Sequence, residues 1–139
     1  KIPFFGWGLA MLGSIAIDRG AGRKAVEQLV DQGRQRLESG RGVVVFPEGT
    51  RVAPGERGRY RIGGAVLAEQ TGHPIVPVAH NAGEYWPARS FLMRPGEIQI
   101  KIGPVIDSKG RSAAEILKEA EGWIEDTMQR ISTASRHTE

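Results

Sequence analysis

The run Phe46-Pro47-Glu48-Gly49-Thr50-Arg51 gathers several groups able to do chemistry at one turn. Before it stands Val43-Val44-Val45-Phe46, which reads as an interior parallel strand because both of its faces are apolar. The backbone then turns at Pro47 and Gly49, at the carboxyl end of the sheet, where open α/β sheets bind ligands. Gly49 lets backbone N–H groups approach an anion, and Arg51 offers a planar fork for a phosphate. Glu48 is suited to orient that arginine or to bind a hydroxyl, and Thr50 adds a hydroxyl of its own. Arg57, Arg59 and Arg61 follow, so the loop is basic enough to face anionic lipid or other phosphates; a solvated charge run is the plain alternative.

Other reactive groups are few. There are no cysteines, which excludes a disulfide scaffold and a thiolate metal site. The histidines are His73, His80 and His137. Of these only His80, just after an apolar run, is a candidate base, and an ordinary loop histidine is the simpler reading.

These groups must be held by a folded scaffold. The chain has 139 residues, 40% hydrophobic and 25% charged, one domain's worth and not a disordered tail. Glycine is frequent, 19 residues without a triplet period, so it serves turns, caps and close contacts rather than collagen. The net charge of +3 is uneven: residues 1–64 hold 11 basic and 6 acidic groups, and residues 65–139 hold 8 and 10. A basic first half points to anionic partners. Nucleic acid is disfavoured, because neither an aromatic stacking platform nor a recognition motif is present.

Residues 2–17 are uncharged, but 16 residues with Pro3, Gly6, Gly8 and Gly13 among them fall short of a spanning helix. Phe4, Phe5 and Trp7 are then interfacial anchors or core. Residues 6–13 suggest a short apolar helix, and Ser14-Ile15-Ala16-Ile17 a short strand. From Ala21 to Glu38, Val26, Leu29, Val30 and Leu37 share one helical face, and Ser39-Gly40 stops it. A second helix spans Gly63 to Thr71 and closes at Gly72. Ile75-Val76-Pro77-Val78-Ala79 reads as a buried strand whose proline marks an end or a bend. Residues 80–96 read as a long loop, and residues 97–102 alternate as a half-exposed strand. Ser112 and Glu115 form a capping box that opens a last helix. Its stripe is Ile116, Leu117, Ala120, Trp123, Ile124, Met128 and Ile131, and residues 132–139 are expected to fray. Helices alternating with short apolar strands predict an α/β class with a mainly parallel sheet flanked by helices, in a single domain.

As a motif, Phe46 to Arg51 resembles the third sequence block of the glycerolipid acyltransferases, above all the 1-acyl-glycerol-3-phosphate acyltransferases. Pro3, Gly6 and the stretch from Ile15 to Arg19 resemble the second block, and Ile75 to Ala79, centred on Pro77, the fourth. Tyr60-Arg61-Ile62-Gly63 resembles the basic step between blocks three and four, with Arg61 keeping a charge and Ile62 not. The resemblance covers about residues 1–106. It implies transfer of a fatty acyl group from acyl-CoA or acyl-carrier protein to lysophosphatidic acid, giving phosphatidic acid in phospholipid biosynthesis. Other acceptors in the same class are glycerol-3-phosphate and a lyso-ornithine lipid. A non-catalytic phosphate- or lipid-binding module is the reading from a different class. By the resemblance, Arg19, Glu48, Gly49, Thr50, Arg51 and Arg61 bind the acceptor phosphate, and Pro77 shapes the acyl site. The implied partners are the lysophospholipid, the donor thioester and a membrane surface, at the cytoplasmic face of the cell membrane, with no metal and no further cofactor. The family's first block, a histidine and an aspartate separated by four residues, has no match: Val78 follows His73 and Tyr85 follows His80 at that spacing. The expectation is a piece that begins after its catalytic base and is inactive alone.

Overall fold

Val26, Leu29, Val30 and Leu37 need a common apolar neighbour, and a helix puts them on one side. The computed structural model describes residues 7, 11, 13–18, 20–88 and 90–133. They fall in two compact units, residues 1–44 and 45–139. In the first, α1 spans Arg23–Glu38 and buries Val30 and Gly33. It ends as expected, at Ser39 and a left-handed Gly40 (φ 77).

Residues 14–17 are extended but join no strand among the described residues. Side chains of α1 take the place of a neighbouring strand. The Gln32 amide donates to the Ala16 carbonyl at 2.7 Å and accepts from its N–H at 3.2 Å. Gln28 accepts from the Asp18 N–H at 2.9 Å, and Arg36 Nε donates to the Gly13 carbonyl at 2.9 Å. The expected strand is thus a strap. A glutamine amide carries the same donor and acceptor as a peptide group, and apolar patterning does not report that competition. The expected helix over residues 6–13, with Phe4, Phe5 and Arg19, lies largely outside the described residues, where only Trp7, Met11 and Gly13 are placed.

The second unit is built on two helices. Gly63, Ala65, Leu67 and Ala68 are buried on α2, Gly63–Thr71, which closes on a left-handed Gly72 (φ 68) whose N–H donates to the Ala68 carbonyl at 2.8 Å. Pro77 lacks an N–H, and β1, Val78–His80, begins just after it. Next come α3, Ala82–Tyr85, and β2, Ile100–Ile102. Last is α4, Ala113–Ile131, opened by the Ser112–Glu115 capping box. The α4 helix packs on α2 and on β1. Ala65, Ile106, Ala113, Ile116 and Ala120 form the core, with Val66, Ile75 and Leu117 against it. Trp123 and Met128, read as core from the stripe, are half-buried.

The sheet departs from expectation in its hand. The β1 and β2 strands pair antiparallel, with Val78 opposite Ile102 and His80 opposite Ile100. An Ile75–Ile106 bridge continues the pairing. A parallel return needs a crossover over the sheet, usually a long helix. Residues 81–99 contain only the one-turn α3, so the chain comes back antiparallel. Residues 43–46 are extended without a ladder partner among the described residues, and Val44 and Phe46 are 82% and 75% exposed. β-branching favours extended backbone there but does not supply a neighbour. The run from Ile75 to Ala79 is half-exposed rather than fully buried: Pro77 and Ala79 face inward, and Val76 and Val78 outward.

The expected frayed end does not start at Ser132. The Ser132 hydroxyl donates to Glu84 Oε1 at 2.6 Å, and the Thr133 N–H and hydroxyl donate to the same carboxylate at 2.9 and 2.6 Å. Residues 134–139 lie outside the described residues.

Candidate functional site

The turn at residues 46–49 is set by its own sequence. The Gly49 N–H donates to the Phe46 carbonyl at 3.0 Å, with Pro47 and Glu48 at the corner. Gly49 sits at φ 67, where a side chain is strained. The loop that follows is folded back on this turn, because the Arg61 N–H donates to the Pro47 carbonyl at 2.7 Å. Arg61 thereby lies against Gly49, whose Cα would carry a Cβ only 3.7 Å from Arg61 Cγ. A second turn, the Glu56 N–H to the Ala53 carbonyl at 3.0 Å, reverses the loop at Pro54-Gly55.

Glu48 is half-buried and accepts a hydrogen bond from the Gly58 N–H. A Cβ at Gly58 would stand 2.8 Å from Glu48 Oε1 and 2.6 Å from Val52 Cγ2, so any larger residue there forces these side chains to shift. Burial pushes the Glu48 carboxyl above its usual range, and the Glu125 charge pushes it the same way. The Gly58 N–H and His80 oppose that shift. The group is therefore a carboxylate held ready to accept, easier to protonate than a surface glutamate.

The far arm of the loop is held by α4, a contribution that spacing along the loop does not reveal. Arg57 pairs with Glu121 at 2.6 Å. The Tyr60 hydroxyl, half-buried, donates to the Glu125 carboxylate, and burial with that bond raises its pKa well beyond the ordinary phenol. Tyr60 is then a fixed donor at any working pH. Glu121 and Glu125 are one helical turn apart, so they present on one side of α4; that i,i+4 acidic pair was the available sequence signal.

Five of the expected acceptor residues, Glu48, Gly49, Thr50, Arg51 and Arg61, lie on this turn and its returning arm. Arg51 and Arg61 are exposed and form no ion pair among the described residues. Arg57 is committed to Glu121, so the basic loop is less cationic than its composition suggests. Arg19 lies outside the described residues. Pro77 is buried, accepts from the Gly103 N–H at 2.8 Å, and with Trp123 leaves no room for a Cβ at Gly103. His80 is exposed, and its Nδ1 accepts from the Ala82 N–H at 3.3 Å, which caps the one-turn α3. A shallow groove of about 290 Å³ lies elsewhere, lined by Lys101, Ile102, Trp123, Thr127, Arg130 and Ile131, none of them expected site residues. No cluster of potential metal ligands occurs among the described residues.

A half-buried carboxylate with exposed arginines that form no ion pair among the described residues, beside a glycine turn, has the chemistry to hold a phosphorylated polyol: cations take the phosphate and the carboxylate takes a hydroxyl hydrogen. Comparison with known proteins identifies the family. A family model described as acyltransferase matches residues 1–81. A 1-acyl-sn-glycerol-3-phosphate acyltransferase of Pseudomonas aeruginosa is 46% identical over 134 residues, 94% of this chain and 52% of that protein. A chloroplastic 1-acyl-sn-glycerol-3-phosphate acyltransferase of Brassica napus is 31% identical, over 94% of this chain and 38% of its own. The crystal structure of the 1-acyl-sn-glycerophosphate acyltransferase PlsC from Thermotoga maritima superposes with a TM-score of 0.75 at 26% identity, covering 94% of this chain and 52% of that one. The chain thus spans about half the length of relatives it matches. The structural likeness bears out an α/β acyltransferase fold, here helices with a small sheet. On the family match and the 46% identity together, the chain belongs to the acyltransferase family that includes the 1-acyl-sn-glycerol-3-phosphate acyltransferases.

Proposed function

We propose that this chain forms the acceptor-binding part of an enzyme that acylates lysophosphatidic acid to phosphatidic acid. The supporting observation is the folded-back loop that fixes Glu48 on the Gly58 N–H and leaves Arg51 and Arg61 without ion-pair partners among the described residues. In this reading Arg51 and Arg61 take the acceptor phosphate. Glu48 and Thr50 take glycerol oxygens, and Gly49 gives the close backbone approach. Pro77 shapes the side next to the acyl chain.

The donor is acyl-CoA or an acyl-carrier protein thioester. The acceptor hydroxyl oxygen bonds to the thioester carbonyl carbon, the C–S bond breaks, and the hydroxyl proton leaves with the thiol by way of a general base. A thioester is already activated, so alignment and deprotonation of the alcohol are the main tasks. His80 is a poor choice for that base, since its Nδ1 is engaged by the Ala82 N–H. The acceptor is a bilayer lipid, which places the work at a membrane surface, on its cytoplasmic side. Among the described residues no helix is long and apolar enough to cross a membrane.

Calorimetric binding of a short-chain lysophosphatidate, below its micelle concentration, tests the reading without requiring turnover. Arg51→Ala is expected to weaken it roughly 10–100-fold, the worth of a charge-assisted contact of about 1.5–3 kcal/mol. Arg51→Lys recovers part of that loss if the contact is bidentate. The matching monoacylglycerol, lacking the phosphate, should bind both proteins equally weakly. Equal lysophosphatidate affinity of wild type and Arg51→Ala would remove Arg51 from the site. Tighter binding of glycerol-3-phosphate or a lyso-ornithine lipid would change the acceptor.

A further inference from the structure

The segment between α3 and β2 has no part in the acceptor site, yet it is built with care. The Arg94 N–H donates to the Tyr85 carbonyl at 2.8 Å and closes its base. The Trp86 indole N–H donates to the Ser90 carbonyl at 3.0 Å, and the Ser90 N–H to the Pro87 carbonyl at 3.3 Å. The Ser90 hydroxyl accepts from the Leu92 N–H at 3.1 Å and donates to the Leu92 carbonyl at 3.0 Å. Gly96 lies so close to the Tyr85 ring that no Cβ fits.

This scaffold presents three consecutive apolar side chains to solvent. Phe91, Leu92 and Met93 are 103%, 79% and 70% exposed, and Trp86 stands beside them in sequence, exposed as well. Consecutive exposed apolar residues on an ordered loop mark a contact surface. The sequence flanks them with Arg89 and Arg94 and has no acidic residue from Tyr85 to Gly96.

We propose that the loop 86–94 is a lipid-inserting element: Phe91, Leu92 and Met93 enter the interface of an anionic bilayer while Arg94 meets its headgroups. Three features favour this partner. The aromatic, aliphatic and cationic mix is that of interfacial anchors. The loop satisfies many of its backbone polar groups internally, as a segment leaving water must. A symmetric contact with a second copy would bring like charges together around the apolar tip, whereas an anionic surface neutralises them. The choice of a lipid partner rests on the membrane-acceptor reading above, and the experiment separates the two.

The test is co-sedimentation with phosphatidylglycerol–phosphatidylcholine vesicles and with pure phosphatidylcholine vesicles. The variants are the triple Phe91→Ser, Leu92→Ser, Met93→Ser and the single Arg94→Ala. The triple variant should bind both vesicle types about tenfold or more weakly, at low and high salt, because apolar burial is lost. Arg94→Ala should lose affinity for the anionic vesicles only, and chiefly at low salt. Both should keep the wild-type Tm and the wild-type affinity for soluble lysophosphatidate. Unchanged vesicle binding by the triple variant overturns the proposal. So does a Tm drop of several degrees with vesicle binding intact, which would assign the side chains to packing. Loss of a light-scattering dimer with vesicle binding intact would assign the loop to self-association. Absence of lysophosphatidate binding in the wild type would instead sink the acceptor reading and leave the vesicle result standing.

Discussion

Replacing Gly58 by alanine tests whether the loop 47–61 holds Glu48. A Cβ at this position would sit 2.6 Å from Val52 Cγ2 and 2.8 Å from Glu48 Oε1. Ordinary carbon contacts lie at about 3.5–4.0 Å, so the neighbours must move by roughly 1 Å. Valine is short and stiff at χ1, so the carboxylate is the part that yields. Moving it breaks the hydrogen bond from the Gly58 N–H. Overpacking in a half-buried site and loss of one charge-assisted bond, each taken at its low end, total about 2 kcal/mol. For a chain of this size that lowers Tm by roughly 5–8 °C. Misplacing Glu48 should also weaken lysophosphatidate binding about tenfold. Gly122→Ala is the control: its Cβ meets nothing within 4 Å on α4, so helix propensity raises stability by about 0.5–1 kcal/mol. The assays are thermal melting by circular dichroism and calorimetric binding. A Gly58→Ala protein with wild-type Tm and wild-type affinity would refute the Glu48–Gly58 contact and the positioning argument built on it.

Two further outcomes follow from groups the fold uses. Glu84→Ala removes the acceptor of three hydrogen bonds from Ser132 and Thr133; a loss of about 2–3 kcal/mol in urea unfolding is expected, and a loss under 0.5 kcal/mol would show that the clamp is not formed. The Glu48 pKa is raised in the folded protein, so its contribution to stability is full below the unfolded glutamate pKa and is lost as pH rises through the folded value. Glu48→Gln should therefore be at least as stable as wild type at neutral pH, with wild type gaining on it as pH falls through that window; a wild-type advantage that grows towards neutral pH would reverse the sign and the reading.

Much of the fold was readable because local chemistry decided it. Ser112 with Glu115, and Gly72 at its left-handed φ, fix helix ends through groups adjacent in sequence. Pro77 announced the edge of β1 by its missing donor. The turn at Pro47 and Gly49 and its placement of Glu48 were likewise local. What sequence patterning did not resolve was pairing. Residues 43–46 and 14–17 are extended, as their composition implies, but a strand also needs a partner, and Gln28 and Gln32 supplied one of another kind. The antiparallel hand of β1 and β2 depends on what residues 81–99 form, and one turn of helix there was hidden in a stretch that reads as loop. Tyr60 and Gly58 were invisible as site residues for the same reason: their partners, Glu125 and Glu48, are fixed by packing.

In the proposed reading, that packing gives α4 a positioning role for the acceptor loop. Glu121 and Glu125 hold Arg57 and Tyr60, and the same arm returns to Pro47 through the Arg61 N–H. The arm between them contains Gly58, whose N–H holds Glu48. One turn of α4 therefore closes a chain of contacts that ends at the Glu48 carboxylate. It also removes one arginine from the cationic set, since Arg57 is neutralised where Arg51 and Arg61 are not. Arg57 and Tyr60 dock on the helix, and Arg51 and Arg61 form no ion pair among the described residues. The residues matched by the family model stop at position 81, so this support comes from beyond them. The turn at residues 46–49 is thus braced by a helix distant in sequence, which core packing through Ile116 and Ala120 brings in with two glutamates one turn apart.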